Sequence, residues 1–398
     1  MSKRVLLVCM SILAICLIFC GCSFVKGAKR EINTLGIVVG LAIDKCEDDD
    51  SKILLTAQIV RNDSVGQNAS GQGGSSGSNE GDLGKAYWNV SVTGKNLLEA
   101  MHSAINITNR NLYIAQNHVV IISRDVAEAG IGKYLDYFFR DQESRYDVSL
   151  VISDGKAADI LGVDSHLEEL PAQDLYKMLE MQAQSGFSPK CSLFDFVRNF
   201  KTPCKESIAP VVRVIKPEEK EKKSEYLSVS GGAVFKDDKM VAMLDEKDTN
   251  GILWLSGSNE GGIIPVVYDG ENASVEILNA EGSFKAFLLD NKIEVNADVI
   301  LKCKLGEYQS SKQVTESILR EIEKACADKV KNEISDSFCT LQELGADVYG
   351  IGEYLYRHDY PKWEKLKGNF DVLYRNIEPK INVSVHILRT GAVSEAVG

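Results

Sequence analysis

The first clear pattern in the chain is an alternation of apolar and polar positions, which is typical of β-strands. It runs through residues 35–44, 53–60 and 87–93. Each stretch is short and contains β-branched or aromatic residues, so the sequence predicts three strands that pair as an antiparallel meander. Residues 62–84, between the second and third strands, are dominated by Gly, Ser and Asn. We expect a flexible loop there and assign no chemistry to it.

The apolar spacing then changes to that of an α-helix. After Gly94, one helical face carries five such positions: Leu97, Met101, Ala104, Ile105 and Thr108. Short buried strands are predicted at 119–123 and 148–152, with helical spacing at 126–139 and through most of 157–199. These elements define an N-terminal α+β domain, residues 35–195.

The next alternating stretch, residues 226–244, breaks at Asp237-Asp238, as a β-hairpin does. The charged run that precedes it, 216–225, is interpreted as a solvated hairpin loop or an interdomain linker. Alternation returns at 293–301, where another strand is predicted. We assign residues 196–280 to a middle domain.

The remaining chain is mostly helical in pattern. An apolar stripe predicts an amphipathic helix over 313–334, two shorter helices follow at 348–358 and 362–376, and residues 381–388 close with a strand. A C-terminal α+β domain, 281–398, results. The predicted fold class is therefore α+β, with three mixed α/β subdomains, mainly antiparallel sheets, and a long amphipathic helix packed on the last sheet.

The amino terminus has the pattern of an export signal. Lys3 and Arg4 precede an apolar core of about fifteen residues, Val5 to Phe19, which is shorter than the roughly 20 residues of a membrane-spanning helix. The Phe19-Cys20-Gly21-Cys22 sequence resembles the lipobox of bacterial lipoproteins. We expect 1–21 to be a lipoprotein signal peptide, Cys22 to carry S-diacylglyceryl and N-acyl groups, and 22–34 to be a lipidated tether. An uncleaved signal anchor is the alternative.

Composition narrows the classes of function. The 398-residue chain has a formal net charge of -12, which disfavours nucleic acid because phosphate neutralisation needs a basic surface. Six of its 10 cysteines follow Cys22, and none of them forms a C-x-x-C pair, so zinc-knuckle and dithiol motifs are absent. Scattered buried thiols are the favoured interpretation, although export would also permit disulfides.

The sequence contains no recognisable catalytic signature. The five histidines never occur at i, i+4 spacing, and H-E-x-x-H, G-x-S-x-G and the P-loop are missing. Three features could be taken for sites but are interpreted as structural: Gly350-Ile351-Gly352, Asp237-Asp238 and Glu168-Glu169. We therefore predict no enzyme activity, no cofactor and no metal.

Several blocks of the sequence resemble one family. They are the lipobox cysteine, "LGIVVGLAIDK", "NRNLYIAQNHVVIISRDVAEAGIGKYLDYFFRDQESR", "GGAVFKDDKMVAMLDEKDTNGILWLSG" and "GADVYGIGEYLYRHDYPKWEKL". Together they are similar to the Ger(x)C family, the lipoprotein C subunits of spore germinant receptors. The resemblance runs over nearly the whole chain.

The resemblance implies a non-catalytic, acylated protein on the outer face of the spore inner membrane. It implies A-type and B-type integral membrane subunits as partners, and a role in nutrient-triggered spore germination. A different class of function stays open, namely a solute-binding lipoprotein that delivers a small ligand to a transporter. That alternative predicts a two-lobed parallel α/β fold, whereas alternating strands favour antiparallel sheets with one buried face.

Overall fold

The computed structural model describes residues 34–61, 85–216, 225–256, 261–289 and 292–389. These residues form two β-sheets with helices packed against them. The strands of the first sheet are β1 Leu35–Lys45, β2 Ile53–Val60, β3 Tyr87–Gly94, β4 Asn111–Tyr113, β5 Val119–Ser123, β6 Ser149–Ser153, β7 Ile208–Ile215, β8 Tyr226–Lys236 and β9 Lys239–Leu244.

The first sheet begins as predicted. Strands β1, β2 and β3 are neighbours and pair antiparallel, so the meander is confirmed. The 62–84 segment between β2 and β3 lies outside the described residues. On the other side of β1, the order continues through β5, β6, β7, β8 and β9, while β4 pairs with one end of β1.

The centre of this sheet is parallel. Strands β1, β5, β6 and β7 run in the same direction, and β5 is buried at all five positions. A strand covered on both faces loses its apolar–polar alternation, which is why the sequence pattern did not reveal parallel pairing. The α+β class is confirmed, but the expectation of mainly antiparallel sheets does not hold for the centre of this sheet.

Helices cover both faces of the first sheet. They are α1 Leu97–Ser103, α2 Ile105–Thr108, α3 Arg124–Ala129, α4 Gly132–Arg140, α5 Ala157–Ile160, α6 Pro171–Ser185 and α7 Leu193–Lys201. Adjacent residues of β5 point into different cores: Val120 packs with α1, α3, α4 and α7, whereas Ile121 packs with α5 and α6. The parallel centre is therefore a sandwich of helix, sheet and helix.

The sheet continues beyond the expected boundary between residues 195 and 196. Strands β7 and β8 pair antiparallel, with Ile215 opposite Tyr226. The charged run, 216–225, therefore joins the two strands of a hairpin. Its residues 217–224 lie outside the described residues. The β8–β9 hairpin turns at Asp237, whose φ of 55° is left-handed, as predicted for this break. The domain ranges stay a prediction.

The second sheet contains β10 Ile263–Tyr268, β11 Glu271–Leu289, β12 Lys292–Tyr308 and β13 Lys380–Arg389, in that order. The predicted strand at 293–301 is confirmed within β12, and all five positions of its apolar side are buried: Ile293, Val295, Ala297, Val299 and Leu301. The sequence pattern missed β11, because its alternation is interrupted by a register shift between Ile277 and Asn279.

The helices of the second unit are α8 Glu246–Ser256, α9 Glu316–Leu344, α10 Ile351–His358, α11 Tyr360–Leu366 and α12 Phe370–Tyr374. The long amphipathic helix is confirmed as α9. Thr315 caps its start and Gly345, with a φ of 65°, ends it. A stripe of buried residues along α9 packs in the core of the second sheet: Ile322, Cys326, Val330, Ile334, Phe338 and Leu341.

Candidate functional site

A cleft lies at the carboxyl ends of three neighbouring parallel strands. Its volume is about 660 Å³, and its walls come from the ends of β1, β5 and β6 and from the loops that follow them. In sheets of this kind, ligands bind beyond the carboxyl ends of the strands, since the loops there are free to carry polar groups. The cleft is therefore the candidate ligand site of the first sheet.

Asp44 is the most constrained acid in the cleft. It is the next-to-last residue of β1 and is 4% exposed. Its carboxylate accepts hydrogen bonds from the backbone N–H groups of Ala157 (2.7 Å) and Ala158 (2.9 Å), which hold it in one orientation. Burial nevertheless raises the pKa of Asp44, because removing the carboxylate from water disfavours its charged form.

A network of charges forms the wall beyond β6. Asp154 accepts from the guanidinium groups of Arg124 at 3.0 Å and of Arg213 at 2.8 Å. Arg213 also donates to the carbonyl oxygen of Ser230 at 3.0 Å. The network connects the start of α3 and the loop after β6 to strands β7 and β8, so this wall of the cleft is tied to the sheet.

The last residue of β5, Ser123, also lines the cleft. Its side chain is buried, at 5% exposure, and its hydroxyl oxygen has no hydrogen-bond partner. Ser123 stands at the N-cap position of α3 but makes no side-chain cap. Its oxygen is screened from solvent, so Ser123 contributes an unsatisfied polar atom beneath the surface of the cleft.

A second polar site lies where the two sheet units meet. Asp347, between α9 and α10, is buried and accepts from the backbone N–H groups of Gly350 (2.9 Å), Ile351 (3.0 Å) and Gly352 (2.7 Å). Burial raises its pKa to about 6. The Gly350-Ile351-Gly352 segment is thus occupied by an internal carboxylate, which agrees with its structural interpretation.

Residues before β7 join this junction. The backbone N–H of Glu206 donates to the carbonyl oxygen of Asp347 at 3.0 Å, and Lys205 forms an ion pair with Glu353 at 2.6 Å. Burial raises the pKa of Glu206 to about 7. Two acids whose charged forms are disfavoured therefore lie at the contact between the two units.

The other acidic pairs have structural partners. Asp238 accepts from the backbone N–H of Gly132 at 3.1 Å, and the backbone N–H of Asp237 donates to Glu206 at 2.8 Å. Glu168 pairs with Lys177. Within the part of the chain that the structure describes, no group of three or more His, Cys, Asp or Glu side chains is placed to hold a metal ion.

The sequence-predicted lipid site, Cys22, lies outside the described residues, as do 1–21 and the rest of the tether up to residue 33. Among the helices of the described ranges, none is long and apolar enough to cross a membrane. Sequence reasoning missed the cleft, because Asp44, Ser123 and Asp154 carry no motif. Their only common signal is a polar residue at the end of a buried strand.

The two sheets, with helices on both faces of the first and a long helix on the second, define an α+β protein of two closely joined units. Residues 28–214 match the family described as "Spore germination protein N-terminal domain", and residues 230–391 match "Spore germination B3/ GerAC like, C-terminal". The chain belongs to this family of spore germination proteins, the Ger(x)C family.

Individual relatives agree with this assignment. The chain is 24% identical to spore germination protein B3 of Bacillus subtilis (strain 168), over 95% of this chain and 96% of that protein. It is 26% identical to spore germination protein YndF of the same organism, over 92% and 93%. The crystal structure of the GerBC protein has the same fold, with a TM-score of 0.55, 20% identity, and coverage of 88% of this chain and 97% of that one.

Proposed function

We propose that this protein is a lipid-anchored, non-catalytic subunit of a spore germinant receptor complex. The observation that carries the proposal is the pair of family matches, 28–214 and 230–391, which together extend from the predicted tether to the last strand. The relatives are named as spore germination proteins, which supports a role in germination. Integral membrane subunits of the A and B types are the proposed partners.

The proposed anchor is Cys22, acylated after removal of residues 1–21. Two or three acyl chains bury enough methylene groups for stable attachment to a bilayer, whereas one chain alone gives marginal attachment. The segment from Cys22 to Leu35 can span at most about 45 Å when fully extended. Both sheet units would therefore stay near the outer face of the spore inner membrane, where they can contact the membrane subunits.

The anchor is tested by Cys22→Ala in the full chain. We expect the variant to lose fatty-acid labelling, to move from the membrane fraction to the soluble fraction, and to impair nutrient-triggered germination. Cys20→Ala is the matched control, because it removes a neighbouring thiol and leaves the acceptor cysteine in place. Retention of label and membrane attachment by Cys22→Ala would refute the anchoring proposal.

Complex membership needs a separate measurement. The wild-type protein, affinity-tagged at its carboxyl terminus and extracted from spore membranes in mild detergent, is expected to copurify with A-type and B-type subunits. Two results together would contradict the receptor role: the anchored protein copurifies with neither subunit, and deletion of its gene leaves germination unaffected. The anchoring proposal would stand in that case.

A further inference from the structure

Strand β10 forms one edge of the second sheet. It pairs with β11 on one side, and its other side pairs with no strand of the described ranges. The N–H of Ile277 donates to the carbonyl oxygen of Gly262 at 2.9 Å, so these residues form a hydrogen-bonded pair at the start of the ladder. Hydrogen-bonded and non-hydrogen-bonded pairs alternate along antiparallel strands. The backbone groups of Ile263, Pro265 and Val267 therefore point away from β11, toward the free edge.

The side chains at these three positions are apolar and exposed. Ile263 is 64% exposed, Val267 is 65% exposed, and Pro265 lies exposed between them. Edge strands of soluble proteins usually carry charges, because unpaired backbone groups beside apolar side chains attract another strand. None of the six residues of β10 is charged. The free edge of β10 is therefore suited to pairing with an added strand.

One backbone group of this edge already has a partner. The ammonium group of Lys329, on α9, donates to the carbonyl oxygen of Pro265 at 2.8 Å. Lys329 thus takes the place of a donor that an added strand would supply. Pro265 itself offers no N–H, which is tolerated at a sheet edge. The edge-facing backbone groups of Ile263 and Val267 have no partner among the described residues.

A groove of about 1300 Å³ follows the free edge. Residues 263–267 of β10 form one wall, and side chains of α8 and α9 form the other. Phe187, which is 46% exposed, adds an aromatic ring to the lining. A strand added to a sheet lies about 4.8 Å from its neighbour. An extended peptide that pairs with β10 would therefore lie inside this groove.

The charges of the groove favour one kind of peptide. Four carboxylates and two ammonium groups line it. Lys247 pairs with Asp336 at 2.8 Å, and Lys329 is bound to the strand edge. Glu246 and Asp328 are exposed and make no ion pair with another described residue. The groove therefore complements basic side chains. The β10 strand of a second copy is uncharged and does not meet this requirement.

We infer that β10 accepts an extended segment of a partner polypeptide as a further strand of the second sheet, and that this segment alternates apolar and basic residues. Its backbone pairs with Ile263 and Val267, and its apolar side chains lie beside the side chains of these two residues. Its basic side chains point to the other face, toward Asp328 on α9. Lys329 leaves the carbonyl oxygen of Pro265 when the segment binds. The inference does not depend on the lipid anchor.

The probe for this surface is the heptapeptide Val-Lys-Val-Lys-Val-Lys-Val, acetylated at its amino terminus and labelled with a fluorophore at its carboxyl terminus. Full-length protein in phosphatidylcholine nanodiscs is added, and fluorescence anisotropy measures binding, with empty nanodiscs as the blank. We expect saturable binding with a Kd of about 10–100 μM. The same peptide with Glu in place of Lys should bind at least about tenfold more weakly.

Backbone methylation separates strand pairing from charge attraction. One version of the peptide is N-methylated at every Val, and another is N-methylated at every Lys. Only alternate N–H groups of a strand face a given neighbour, so one version should lose at least about tenfold in affinity and the other should stay within about threefold.

Two variants and a control locate the peptide. Val267→Lys places a cation on the free edge and should weaken binding at least about tenfold, while its Tm stays near that of the wild type because Val267 is exposed. Asp328→Lys should weaken binding at least about threefold at low salt. Glu343→Lys makes the same change at an exposed position of α9 outside the groove and should bind like the wild type.

Four results would overturn the inference. The first is no saturable binding of the peptide to folded protein, and the second is equal binding of the two methylated peptides. The third is equal binding by wild type and Val267→Lys, which would place the peptide elsewhere. The fourth is a wild-type dimer in analytical ultracentrifugation that excludes the peptide and that Val267→Lys dissociates, which would identify a second copy as the occupant of the edge.

Discussion

The indole N–H of Trp254 donates to the carboxylate of Glu333 at 2.7 Å, and both side chains are buried. This bond joins α8 to the long helix α9 of the second unit. Burial raises the pKa of Glu333, and the bond from Trp254 opposes that increase because it favours the charged form. The pair thus sets both the position of α8 and the protonation of an acid in the core.

Removing the donor of this pair should destabilise the protein. Trp254→Phe keeps an aromatic ring but leaves a buried carboxylate without its partner. We therefore expect the free energy of unfolding, measured by urea titration, to decrease by about 1–3 kcal/mol. In a Glu333→Leu background, Trp254→Phe should decrease the free energy of unfolding much less, because no buried acceptor remains. Equal costs in the two backgrounds would show that ring packing, and not the hydrogen bond, accounts for the loss.

Close approach of α8 to α9 depends on Gly251. A Cβ atom at this position would lie 2.1 Å from the carbonyl oxygen of Glu333 and 2.6 Å from the hydroxyl oxygen of Ser337. Gly251→Ala is therefore expected to separate the helices and to cost about 1–3 kcal/mol or more of unfolding free energy. Gly155→Ala is the matched control, because a Cβ there meets no atom within 4 Å. A change in Tm of the same size in both variants would contradict this account.

The raised pKa of Glu206, an acid at the junction of the two units, predicts how the stability of the protein depends on pH. Its pKa is raised from 4.5 to about 7, so the folded state binds a proton that the unfolded state releases between these values. The contribution of Glu206 to stability is full below pH 4.5 and is lost as pH rises through about 7. Because the side chain is partly exposed, the loss should be on the order of 2 kcal/mol.

Glu206→Gln removes this titration. We expect the unfolding free energy of the variant to decline less than that of the wild type between pH 4.5 and 8, as measured by urea titration. Glu321→Gln changes the same charge at an exposed position of α9 and should follow the wild type. Parallel curves for wild type and Glu206→Gln would exclude Glu206 as the titrating group.

The cysteines of the described ranges differ in accessibility. Cys339 is exposed, whereas Cys303 and Cys326 are buried in the second core, where burial raises the pKa of Cys303 to about 11 and of Cys326 to about 12. Thiolate is the reactive form, so a maleimide should label Cys339 first in the native protein. Mass spectrometry of timed samples measures the order. Labelling of Cys303 or Cys326 as fast as Cys339 would contradict the buried placement.

Sequence patterns were most informative where one face of an element meets water. The alternation in β12 and the apolar stripe of α9 predicted both elements, because a half-buried surface leaves its period in the sequence. The parallel strand β5 left no such period, since both of its faces are buried. The 19-residue β11 was missed for another reason, because a register shift after Ile277 interrupts its alternation.

The candidate ligand site could not be predicted in the same way. Asp44, Ser123 and Asp154 are separated by long stretches of chain, and each is an ordinary polar residue at the end of a strand. Only parallel pairing of β1, β5 and β6 places the three strand ends at one edge of the sheet. Burial of the Ser123 hydroxyl without a partner, a property it shares with Ser144 among the described residues, also appears only in the folded chain.

Local patterns in the chain were enough to predict the period of most helices and strands, the acidic balance of the chain and the family to which its blocks are similar. These properties are local or additive, so a linear pattern can carry them. The folded chain was needed to show which strands are neighbours, which acids are buried at the junction of the two units, and where a cleft forms. Hydrogen-bond ladders and desolvation depend on residues far apart in the chain, and no local pattern specifies them.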